Sequence, residues 1–193
     1  GGLFLAEFGN NRLGAYTRFA ADLLNGVPSI VVGIFAYTIV ILPTKSNFGY
    51  AGAFALGILM IPTVMRTTEE LVRLVPMSLR EGSLALGATH ARTVWQVVLP
   101  TALGGIITGV LLAVARVAGE TAPLLMVACN SSNWVTDLRQ KMSSLPVQIY
   151  VLRDDPSQLA LRQSWGAALV LVLLVLVFSA LARFFTRSQR KMG

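Results

Sequence analysis

Thiols and imidazoles are almost missing from this chain. Its one cysteine, Cys129, excludes an internal disulfide, and its one histidine, His90, has no companion with which to form a metal-ligand cluster. Charge is scarce as well: only 13% of the 193 residues are charged, and 16 basic against 9 acidic side chains leave a net charge of +7. The basic residues are scattered between apolar blocks instead of gathered with aromatics on one surface, so they argue for membrane topology and against nucleic acid. No Gly-rich phosphate loop ending in Lys-Ser or Lys-Thr is present, and no nucleophile and base stand at informative spacing. The chain is therefore expected to carry no catalytic site, no cofactor and no metal of its own. The opening "GGLFLAEFGN" has neither an initiator Met nor a secretory pattern and reads as the remainder of a longer N-terminus, its first eight residues either the last turns of a spanning helix or a short interfacial helix.

What the sequence does hold is apolar length. Hydrophobic residues make up 54% of it, in blocks long enough to cross a bilayer, which predicts an all-α polytopic membrane helix bundle. Four spans are expected. The first covers about 27–42, extended backward by the amphipathic "AYTRFAADLLNG" and ended by Pro43. The second covers 49–65 and is rich in the small residues that let membrane helices approach closely. The third, 101–128, would be about 42 Å long at ~1.5 Å per residue. The fourth covers 165–185, opened by Trp165 at the interface and followed by "TRSQRKMG".

Orientation follows from the basic residues of the connecting segments. With the C-terminus in the cytoplasm, ten lie inside (Arg12, Arg18, Arg66, Arg73, Arg80, Arg92, Arg183, Arg187, Arg190 and Lys191) and five outside (Lys45, Arg139, Lys141, Arg153 and Arg162). The bias favours this orientation, so 66–100 faces the cytoplasm and 129–164 the outside. Near the inner end of the second span, Arg66 with Glu70 and Glu69 with Arg73 stand at helical spacing and read as pairs on a solvated helix extension. His90 reads as a surface histidine, with a proton-sensitive partner contact as the alternative.

"LLAVARVAGETAPLLMVA" places Arg116 and Glu120 inside the third apolar block. A charge at that depth costs at least ~2.5 kcal/mol on insertion scales, so it should face protein or water and have a partner. Positions i and i+4 share a helix face, and the two are expected to pair there. Either the pair binds helices together, or Arg116 offers its planar guanidinium to a passing oxyanion while Glu120 holds it when the path is empty.

The most specific pattern is "REGSLALGATHARTVWQVVLPTAL". It resembles the EAA loop of ABC-type importer permeases: Glu, two small residues, three positions, Gly, nine positions, then Ile-x-Leu-Pro. Glu81, Gly82, Ser83, Gly87, Val97, Leu99 and Pro100 fall at those spacings, with Gly and Ser in place of two alanines and Val in place of Ile. The segment predicts a helix over 78–86, a turn at Gly87 and a second helix to Leu99 before Pro100 starts the next span. The resemblance implies that 78–100 is a cytoplasmic coupling loop seated in an ATPase subunit, with Glu81, Gly82, Ser83, Leu84, Gly87, Leu99 and Pro100 as its coupling positions. An amphipathic interfacial loop is the alternative, since Leu84, Leu86, Val94, Trp95 and Val98 could lie on lipid.

"GVPSIVVG", "ARVAGETAPLL" and "SLPVQIY" narrow the resemblance to phosphate importer permeases of the PstA type. That type implies a prokaryotic inner-membrane subunit paired with a second, different permease, with ATPase subunits that use the ATP, and with an extracytoplasmic phosphate-binding protein. Arg116 and Glu120 match the charged positions of the family's path segment, and Thr121 follows them there. The loop 129–164 either receives the binding protein or seals the outer gate. Permeation of another oxyanion, molybdate or sulfate, is the near alternative. A channel or a structural subunit would share the spans without requiring the loop at 78–100.

Overall fold

The computed structural model describes residues 1–45, 49–127, 131 and 135–189, the last five of these by backbone alone. Cys129, Arg190, Lys191 and the Ala128 end of the third expected span lie outside the described residues. Within them the chain is helical: α1 (Gly2–Phe8), α2 (Arg12–Gly26), α3 (Ser29–Ala36), α4 (Leu42–Thr44), α5 (Gly49–Arg73), α6 (Met77–Ala85), α7 (His90–Thr93), α8 (Leu99–Val117), α9 (Ala122–Val127), α10 (Leu145–Arg153) and α11 (Gln158–Gln189). Wider π turns, Tyr37–Ile41 and Val94–Val98, join α3 to α4 and α7 to α8.

Among the described residues three helices are long and apolar enough to cross a membrane, Gly49–Arg73, His90–Val117 and Gln158–Phe184; a fourth crossing would use the broken pair Arg12–Gly26 and Ser29–Thr44. This differs from the sequence expectation in four places. The first span has no continuous backward extension, because α2 ends at Gly26 and α3 restarts after an extended Pro28. The second runs on to Arg73. The third begins at His90 and stops at Val117. The fourth begins at Gln158, which puts Trp165 a full two turns inside the helix.

Pro100 also sits inside its helix instead of starting one. A proline lacks the N–H that bonds four residues back, and its ring collides with that carbonyl. The π turn resolves both problems by widening the ladder: Leu99 N–H donates to Val94 O, five residues back. The Thr101 hydroxyl then donates to Val97 O at 2.6 Å. "ILPT" repeats the device: Leu42 N–H donates to Tyr37 O, and the Thr44 hydroxyl to Val40 O at 2.6 Å.

The residues group into two compact units. The first is Gly1–Asn25, Ile61–Ala113 and Ser179–Gly193; the second is Gly26–Met60 and Val114–Phe178. In the second unit Ala36, Ile41, Ala51, Ala55, Leu124, Val127 and Val147 form the core. Gly33 permits the contact of α3 with α9, since a Cβ there would lie 2.6 Å from Pro123 Cα. In the first unit Val72, Val75, Val98 and Ala102 form the core, with Leu3, Ala6 and Ile106 packed against it. Here α8 presents Gly105 and Gly109, one turn apart, to α5; a Cβ at Gly109 would stand 2.5 Å from Thr67 Cγ2.

Candidate functional site

The segment 77–99 is a helical hairpin whose turn is set by local chemistry. At the end of α6, Ala88 N–H donates to Ser83 O at 3.2 Å and Gly87 N–H to Leu84 O at 2.9 Å, the paired bonds of a Schellman motif. That motif needs a left-handed residue, and Gly87 has φ of +83°. Thr89 then caps the second arm, its Oγ1 accepting from Arg92 N–H at 3.3 Å. A hydroxyl pair, Ser83 Oγ and Thr93 Oγ1 at 2.9 Å, ties the arms together across the turn.

The hairpin thus brings Glu81, Gly82, Ser83, Leu84 and Gly87 into one short stretch, while Leu99 and Pro100 stand at its root on the helix that continues to Val117. Its tip is bare: Leu86 is 91% exposed, and Leu84 and Glu81 are exposed on the arm before it. A Cβ added at Gly82 would meet nothing within 4 Å. Packing within this chain therefore does not demand a small residue at Gly82.

Arg116, Glu120 and Thr121 are arranged otherwise than expected. The helix ends at Val117, and a turn follows in which Gly119 N–H donates to Arg116 O at 3.2 Å and Glu120 N–H to Val117 O at 3.0 Å. Arg116 and Glu120 therefore do not share a helix face, and among the described residues no ion pair joins them. The physical reason is the break itself: i, i+4 pairing requires a continuous helix between the partners. Arg116 is exposed in the last turn of α8, where a cation is favoured by the helix dipole; Glu120 and Thr121 are half-buried in the break before α9.

The charges beside the second span are also placed differently. Glu69 is buried, 3% exposed, and three arginines converge on it: Arg18 Nε at 2.7 Å, Arg73 Nη2 at 2.9 Å and Arg66 Nη1 at 3.5 Å. Arg66 also makes a two-pronged contact with Asp22, its Nε donating to Oδ1 at 3.0 Å and its Nη2 paired with Oδ2. So Glu69–Arg73 forms as expected, but Arg66 turns to Glu69 and Asp22 and away from Glu70. A solvated extension does not describe this network, which holds α2 against α5.

A second buried carboxylate, Glu7 of α1, accepts from Arg80 Nη1 at 2.5 Å and lies 3.8 Å from His90 Nε2. Glu7 is not among the residues the motifs single out, although a lone acid in the apolar "GGLFLAEF" is the kind of residue that requires a partner. His90 is indeed largely exposed, yet its ring also stands edge-on to Phe8, centroids 5.6 Å apart.

Comparison with known proteins places this arrangement. Residues 1–191 match the family model described as binding-protein-dependent transport system inner membrane component. The phosphate transport system permease protein PstA of Yersinia pestis is 44% identical over 183 residues, covering 94% of this chain and 62% of that protein. The corresponding Pasteurella multocida protein is 40% identical over 191 residues, covering 98% and 68%. PstA 1 of Mycobacterium tuberculosis is 39% identical over 195 residues, covering 98% and 63%. The chain thus spans about two thirds, or slightly less, of the length of these relatives. Among solved structures, an inward-facing MetNI methionine ABC transporter matches with a TM-score of 0.73 at 18% identity, covering all of this chain and 84% of that one, a likeness of fold.

Proposed function

The chain belongs to the family of binding-protein-dependent transport system inner membrane components, in its PstA branch, and from that membership we propose that it is the permease subunit of an ATP-driven phosphate importer. Family and long apolar helices together make it a multi-pass membrane protein. In the proposed assembly it pairs with a second, different permease, receives phosphate from an extracytoplasmic binding protein, and leaves ATP hydrolysis to separate ATPase subunits. Its C-terminus lies in the cytoplasm.

The observation that carries this reading is the hairpin 77–99. Burying an exposed leucine is worth roughly 1.5–3 kcal/mol, and Leu86 is bare at the tip of a turn whose shape is fixed by its own backbone bonds. A rigid apolar knob of this kind suits a groove in a neighbouring protein better than water. Glu81 stands on the same arm, available for a charged contact with that partner, and Gly82 leaves room for close approach.

Phosphate as the cargo draws on the PstA relatives and on Arg116. Its guanidinium is exposed and has no side-chain partner among the described residues, so it is open to a planar, two-pronged contact with an oxyanion. Glu120 and Thr121 follow it in the break, within reach of the same path.

The test is ATP-dependent uptake of labelled phosphate by vesicles carrying the assembled full-length complex, with unlabelled sulfate and molybdate as competitors. Uptake resistant to both competitors, and reduced at least ~10-fold in Arg116→Gln, is the expected result; one lost charge-assisted bond of 1.5–3 kcal/mol corresponds to that scale. Suppression by sulfate or molybdate would reassign the cargo to another oxyanion. Undiminished uptake in Arg116→Gln would remove Arg116 from the path.

A further inference from the structure

A coupling hairpin acts only if its displacement reaches the membrane helices, and at its base one side chain outside the hairpin touches both arms. Glu7 is on α1, its side chain 2% exposed. From the first arm, Arg80 Nη1 donates to Glu7 Oε1 at 2.5 Å; from the start of the second arm, His90 Nε2 lies 3.8 Å from Glu7 Oε2. Arg80 has a further hold: its Nη2 donates to Val72 O at 2.8 Å. That carbonyl belongs to the last turn of α5 and also accepts from Val75 N–H at 3.3 Å. A single guanidinium thus joins the first arm to α1 and to the end of α5.

The apolar packing has the same connectivity. Val72 and Val75 precede the first arm, Val98 and Ala102 end the second, and Leu3 and Ala6 of α1 pack against that cluster. A cleft of about 430 Å³ opens between α1 and the hairpin, lined by Glu7, Arg80, Glu81, Leu84 and His90 among others. The arms therefore do not close on α1 by apolar contact along their whole length. Across that gap the first arm is tied to α1 by the Arg80–Glu7 ion pair, and the second arm meets α1 through His90, near Glu7 and edge-on to Phe8.

We propose that Glu7 is a positioning residue for coupling, a buried carboxylate that clamps both arms of the hairpin to α1 so that α1 and the end of α5 move with it. The inference rests on the coupling role proposed for the hairpin. It adds that the load passes through Glu7 and Arg80 as well as along the continuous helix His90–Val117. A buried carboxylate held by a partly buried guanidinium that also donates to a helix-end carbonyl has one good geometry, which is what a rigid link requires.

The experiment uses the full-length chain in its assembled complex, reconstituted in proteoliposomes, and reads two quantities: ATP hydrolysed per anion taken up, and the change in amide exchange of residues 2–8 on adding ATP. Glu7→Gln is expected to raise the ATP cost per anion at least ~10-fold and to abolish the ATP-dependent change in α1, while the hairpin still responds; Glu7→Asp is expected to recover part of both. An unchanged ratio with an unchanged α1 response would overturn the proposal. Should Glu7→Gln fail to assemble, Glu7→Met with Arg80→Met restores an apolar contact without the carbonyl hold. That double variant is expected to assemble and stay uncoupled, and coupled turnover in it would overturn the clamp. If the wild type takes up a different oxyanion, only the cargo reading fails, since the ratio is then counted on that anion. If it takes up none, the exchange measurement decides the clamp alone.

Discussion

At Gly87 the backbone adopts φ of +83°, where a side chain crowds the following carbonyl, and that one torsion aims the second arm of the hairpin. Space is not the constraint, because a Cβ there would meet nothing within 4 Å. Gly87→Ala should therefore cost about 1 kcal/mol of local stability and leave most coupled uptake intact. Gly87→Pro is different in kind: proline holds φ near −65° and removes the N–H that bonds Leu84 O. The expected outcome is a membrane-inserted complex that hydrolyses ATP with little uptake, measured as both rates on the same vesicles; full uptake in Gly87→Pro would count against the coupling assignment. The turn of the hairpin was legible in the sequence because its determinants are local, from Ser83 to Thr93. Arg116 and Glu120 were read less well for a related reason. Their pairing presupposed a regular helix, and a four-residue spacing carries no information once Ala118 and Gly119 turn the chain.

Among the elements, α8 against α5 depends on absence of side chains. Gly105 and Gly109 bring the α8 backbone up to Leu71 and Thr67, with a Cβ at either position meeting a side-chain carbon within 3 Å. Without a water-driven force between membrane helices, that fit supplies the attraction. Gly109→Leu is expected to destabilise the packed protein by about 1–3 kcal/mol, as overpacked cores do. Gly57 is the internal comparison: a Cβ there meets nothing within 4 Å, so Gly57→Leu should change thermal stability in detergent little. Because leucine is the better helix former, propensity alone would stabilise both variants, and equal losses would show that close approach at Gly109 is not what distinguishes it. The π turns before Pro43 and Pro100 act at this scale too, since each lets a Leu-Pro-Thr pass without ending the helix at the proline. A proline read alone suggests a boundary. The hydrogen bond five residues back, which removes the clash, has no equally direct sequence signature.

For the molecule as a whole, orientation is the property most exposed to test. With Cys129→Ser as background, Gly82→Cys places a thiol on the bare hairpin and Asp155→Cys one on the exposed turn between α10 and α11. A membrane-impermeant maleimide should label Gly82→Cys in inside-out vesicles and Asp155→Cys in right-side-out vesicles. The reversed pattern would invert the topology drawn from the basic residues. The two-to-one bias of those residues is an argument about insertion, and it stands apart from how the helices pack.

The amino-acid sequence by itself determined the membrane class, three of the long apolar helices to within a few turns, and the hairpin with its glycine turn. Apolar length, capping and turn chemistry act over a few residues, so they can be read in order along the chain. Helical spacing accounts for Glu69–Arg73, but tertiary structure alone decided which charges meet across the chain. Glu7 and Arg80 are 73 positions apart and Arg18 and Glu69 are 51 apart. Nothing local couples such partners; each buried carboxylate takes whichever guanidinium the fold delivers, because leaving it unpaired away from water costs more than any local preference returns.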